Sequence, residues 1–73
     1  MSQHKTHTIY RLLTAPDTSE FCHKVTKALN EGWALHGDPT LSFDAAQGLT
    51  ICAQAVTKQT TDPYDPERKL GSY

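Results

Sequence analysis

The sequence predicts an α+β fold of β-α-β-β order, a three-stranded, mainly antiparallel sheet in order 1-3-2 with one helix packed on one face. Three observations carry that expectation. Apolar residues alternate in three separate runs, 6–14, 33–44 and 49–58, which is the period of a strand. Between the first two runs, Phe21, Cys22, Val25, Ala28 and Leu29 recur at the helical period. The link between the last two runs, 44–48, has the length of a hairpin turn, whereas the link between the first two contains the helix. The simplest closure puts the last strand between the others, antiparallel to both, with a right-handed crossover.

The first run, THTIYRLLT, is rich in β-branched and aromatic residues. Its parity puts Tyr10 and Leu12 on one face and Ile9, Arg11 and Leu13 on the other. Pro16 and Asp17 break it. Asp17 is the expected N-cap of a helix over 18–31, with Glu20 three residues later completing a capping box. Glu20 and Lys24 form an i,i+4 pair on the polar side. Gly32 is placed to end the helix, where a positive φ is wanted. In the second strand Trp33, Leu35 and Gly37 share one face, and Ala34 and His36 share the other. Asp38-Pro39 predicts a bulge or bend at 37–39 within one strand over 33–44, the alternative being two short strands, because proline cannot donate to a ladder. In the third strand Thr50, Cys52, Gln54 and Val56 oppose Leu49, Ile51, Ala53 and Ala55. The small residues in this strand suggest close approach of a helix or second sheet. Residues 9–58 form the expected single domain, with a flexible segment at 1–8 and a flexible tail at 59–73, in which Tyr64, Leu70 and Tyr73 could dock on a partner.

A chain of 73 residues supports one domain with a marginal core. A net charge of −1 and a pI of about 6.4 argue against nucleic acid as a partner. No apolar run is long enough to span a membrane and no signal segment is evident, so a cytoplasmic location is expected. Cys22 and Cys52, far apart and outside any paired motif, read as reduced, half-buried small hydrophobes. The expected uncovered sheet face carries Val56, Cys52 and some of Ile9, Leu13, Leu41 or Phe43. Such a patch predicts a homo-oligomer, dimer or higher, formed through that face.

No nucleophile–base pair, phosphate-cradling glycine loop or metal-binding motif is visible, so no catalytic residue, metal or cofactor is assigned. His4 and His7 have an H-x-x-H spacing without a third ligand, and adjacent Cys22 and His23 point about 100° apart on a helix. Asp38 and Asp44 are explained as turn formers. The ligand-binding candidates are Trp33, His36 and Arg11, around a cleft between subunits. Trp33 is first a core residue under the helix C-terminus, packed on Phe21, Val25 or Leu29; its other role would be an aromatic platform.

Tyr10-Arg11-Leu12-Leu13-Thr14, Phe21-Cys22, Val25, Leu29, Gly32-Trp33, Leu35-His36-Gly37 and Ala53-Gln54-Ala55 join three elements in order. In these residues the chain resembles the small bacterial family called domain of unknown function 1737, over about 9–58. The resemblance implies a whole-domain pattern and no assigned chemistry. In topology and one strand tryptophan the chain is also similar to dodecins, flavin-storing oligomers, which implies stacking of a planar ligand on Trp33. The leading expectation is a non-enzymatic, self-associating interaction or accessory module. The alternative is a small-ligand binding protein with its site at a subunit interface. An enzyme would need a composite site, with His36 as acid or base beside Arg11 or Asp38.

Overall fold

The computed structural model describes residues 6–73. Residues 1–5, and with them His4, lie outside the described residues. The elements are β1 (His7–Pro16), α1 (Ser19–Asn30), β2 (Ala34–Asp44) and β3 (Leu49–Thr60), followed by a 3-10 turn at Leu70–Ser72. The sheet order is β1-β3-β2, and β3 runs antiparallel to both neighbours. β1 and β3 are each two residues longer at their C-terminal ends than their sequence runs. The extra length is paired: Pro16 lies opposite Ile51 and His7 opposite Thr60.

The helix begins one residue later than a cap at Asp17 would place it. Thr18, in an extended conformation, is the N-cap, and its hydroxyl accepts the Glu20 N–H at 3.3 Å. Asp17 is engaged elsewhere. Its N–H donates to the Thr50 carbonyl at 2.9 Å, and its carboxylate accepts from the Cys52 thiol at 3.5 Å. Glu20 is therefore two residues after the cap, not three, and the capping box does not form. At the other end Trp33 N–H donates to Ala28 O and Gly32 N–H to Leu29 O, the paired bonds of a Schellman motif. Gly32 has φ +98°, the left-handed conformation this motif needs.

α1 packs over a core of Ile9, Leu13, Ala28, Trp33 and Val56, with Val25 and Tyr73 against it. Register explains this set. Arg11 lies opposite Val56, Leu13 opposite Gln54 and Ile9 opposite Lys58, so the odd residues of β1 share a face with the even residues of β3. The uncovered face expected from the sequence is thereby corrected. Val56, Cys52, Ile9 and Leu13 lie beneath the helix, all buried, while Tyr10 and Leu12 look outward with Ile51, Ala53 and Ala55. The large branched side chains gain more from burial than the alanines do, at about 25 cal/mol per Å² of apolar surface, and they decide which face the helix takes.

β2 carries the predicted irregularity. His36 pairs with Ala55 and Thr40 with Ala53, so Gly37, Asp38 and Pro39 all stand against Gln54 alone. The excess is two residues, so the alternation resumes in phase: Leu35 faces the same side as Leu41 and Phe43. Gln54, buried, fills the gap, its amide donating to His36 O at 3.3 Å and Gly37 O at 3.2 Å. The β2–β3 turn is closed by Gly48 N–H to Asp44 O at 2.7 Å, and the Asp44 carboxylate accepts from Ala46 and Gln47. No helix among the described residues is long and apolar enough to cross a membrane.

Candidate functional site

Two of the three ligand-binding candidates meet, and the third does not join them. Trp33 follows the Schellman turn and is driven into the core under the helix C-terminus, 3% exposed. Arg11 projects from β1 on the same side, its guanidinium carbon 5.1 Å from the centre of the Trp33 ring. His36, one position off in β2 parity, pairs with Ala55 and is exposed on the opposite sheet face. Within one chain, Trp33 and Arg11 form a unit and His36 stands apart.

Sequence reasoning did not assign the remaining members of this unit. Lys58 lies on the helix side of β3, and its Nζ is 5.7 Å from the Trp33 ring centre. The same ammonium donates to Glu31 O at 2.9 Å, where the helix dipole favours a cation, and to Tyr73 O at 2.7 Å. Gly71 lies on the Arg11 guanidinium: a β-carbon built there would stand 3.6 Å from it. The strand parity that put Val56 on this face also put Lys58 there, so Lys58 was in principle legible. Gly71 and Tyr73 were not, because nothing local says where an irregular segment returns.

Trp33 is therefore a buried ring with two cations against it, not a free platform. Cation–π contacts of this kind contribute about 0.5–2 kcal/mol according to how far they are desolvated. The indole Nε1 is buried and has no hydrogen-bond partner among the described residues.

Beside this unit lies a cleft of about 450 Å³ lined by Arg11, Glu20, His23, Lys24, Lys27, Ala28, Glu31 and Gly71. Lys24 closes one side by donating to Thr14 O at 2.8 Å. Among the described residues the Arg11 guanidinium donates no hydrogen bond and forms no ion pair; the one ion pair is Arg68–Asp62 at 3.2 Å. A second, apolar groove of about 340 Å³ runs between α1 and β2, lined by Phe21, Cys22, Val25, Thr26, Leu35, Pro39 and Gln54. Along β2 beyond it, Leu41 and Phe43 are 67% and 66% exposed.

The two cysteines are free and unlike each other: Cys22 is exposed on α1 and Cys52 buried. Neither is the half-buried residue expected. Burial first, and then the hydrogen bond that the thiol donates to the Asp17 carboxylate, push the Cys52 thiol above its ordinary range. That holds it neutral and unreactive. Among the described residues no three of His, Cys, Asp or Glu gather as metal ligands.

A family model described as a domain of unknown function, DUF1737, matches residues 7–59, which takes in the helix and all three strands but for the last residue of β3. No curated protein and no solved structure matches the chain.

Proposed function

The chain belongs to the DUF1737 family, a domain of unknown function, and from that premise we propose that it is a non-enzymatic, self-associating interaction module. The observation that supports this reading is the row Leu35, Leu41 and Phe43, each more than half exposed on one side of the β2–β3 hairpin. A row of large apolar side chains on a monomer's surface raises the solvation free energy until a partner covers it. A second copy offers the same row, and an isologous contact covers both. Sedimentation velocity at micromolar concentration should give a mass of at least twice 8.1 kDa. A monomer mass would sink the proposal.

One observation favours a second reading, a small-ligand site. Arg11 reaches the cleft between α1 and β1 without an acceptor among the described residues, with Lys24 and Lys27 nearby. Guanidinium groups bind carboxylate and phosphate through paired N–H donors. Under that reading, a panel of small anionic metabolites contains one that raises the melting temperature by several degrees, and Arg11→Met abolishes the shift.

A further inference from the structure

Residues 61–73 lie wholly outside the matched family domain, yet Tyr73 packs against the core cluster that holds its only tryptophan. The segment has an organisation of its own. Asp65 turns the chain by accepting Glu67 N–H at 2.9 Å on its carboxylate and Arg68 N–H at 3.0 Å on its carbonyl. The Tyr73 hydroxyl accepts Asp65 N–H at 2.7 Å. The Arg68 guanidinium lies over the Tyr73 ring at 4.1 Å, donates to Ser72 O at 2.7 Å and pairs with Asp62. Arg68 thus grips Tyr73 from the strap's own side while the ring packs on the core.

The strap also meets both cations that lie against Trp33. Gly71 sits beside the Arg11 guanidinium, and Tyr73 O takes one of the Lys58 donors. The three residues it closes upon, Arg11, Trp33 and Lys58, all lie within the family domain. With the segment in place the indole N–H is buried without an acceptor among the described residues, a desolvation cost that a phenylalanine in the same core would not carry.

We propose that Trp33, Arg11 and Lys58 form a binding site for a short peptide segment that presents an aromatic ring beside a backbone turn, and that residues 61–73 occupy this site in cis. The ligand class follows from the contacts. The core edge takes an aromatic ring, Lys58 takes a backbone carbonyl, and the Arg11 guanidinium packs against a small residue such as Gly71. This proposal is independent of self-association through the hairpin.

Trp33 is the single tryptophan, so intrinsic fluorescence reports on the site directly. In the full chain, Tyr73→Ala should give a severalfold rise in acrylamide quenching and a red-shifted emission, with the far-ultraviolet dichroism retained. Arg68→Ala, which loosens the strap without touching the core, should move both readouts the same way by less. A peptide of residues 61–73 added to the Tyr73→Ala chain should restore protection. Unchanged quenching in both variants overturns the proposal. So does a Trp33 that becomes accessible but is not protected again by the peptide. If Tyr73→Ala fails to fold, Arg68→Ala with the same peptide decides the matter on its own.

Discussion

At the scale of single residues, the side chains closest to the helix start exchanged roles. Asp17 and Thr18 are both good caps by type, and sequence alone favours Asp17 because of Glu20 three positions on. The fold assigns the cap to Thr18, since β1 continues to Pro16 and the Asp17 carboxylate is turned toward Cys52. Thr18→Ala should therefore lower stability by about 1 kcal/mol in urea melts, whereas Asp17→Asn, which keeps an acceptor near Cys52, should cost less. The buried thiol makes a second prediction. A neutral thiol reagent should label Cys22 quickly and Cys52 only as the protein opens. The sign of the pH effect follows from the raised folded-state pKa of Cys52. The unfolded chain loses this proton first as pH rises. The stabilisation is full below the unfolded thiol's pKa and is lost as pH climbs through the interval up to the folded value. Stability should fall on the alkaline side of about pH 8.5, and Cys52→Ala should flatten that fall.

At the scale of elements, length decides what is covered. α1 has 12 residues and spans roughly 18 Å at 1.5 Å per residue. β3 also has 12 residues, but at about 3.3 Å each it spans roughly 40 Å. One such helix covers about half of such a strand, and the hairpin end with Leu41 and Phe43 runs past it. The join between helix and β2 depends on one backbone conformation. Gly32→Ala would force a β-carbon into φ +98°, and the expected cost is about 1–2 kcal/mol by thermal or urea unfolding. The side chain itself finds room, its nearest neighbour being the Lys58 Cε at 3.4 Å, so the loss should come from backbone strain alone.

At the scale of the whole molecule, the extents are 56 × 23 × 18 Å, an elongated body with a short core and a long sheet. A core of this size leaves little surplus over conformational entropy, so covering the hairpin would matter for stability as well as solubility. If the apolar row is the contact, Leu41→Glu and Phe43→Glu should each convert the assembly to monomer in sedimentation. Both positions are exposed, so the single-chain fold should survive. Tyr10→Glu or Leu12→Glu, on the opposite face, should leave the mass unchanged. The reverse pattern would move the interface to the open face.

The sequence by itself determined the element order, the strand pairing, the helix stop at Gly32 and the bulge at 37–39. The order, the helix stop and the bulge are set by periodicity or by a backbone preference that acts within a few residues; the pairing follows from connection lengths and the handedness of the crossover. It also placed Trp33 in the core and His36 on the other face, because parity is a local rule. The tertiary structure alone decided which sheet face the helix covers, since Ile9, Leu13 and Val56 come together only when β1 and β3 are in register. It alone brought Lys58, Gly71 and Tyr73 around Trp33 and Arg11. Those contacts join residues far apart in the chain, and no local pattern records where an irregular segment such as 61–73 will come to rest.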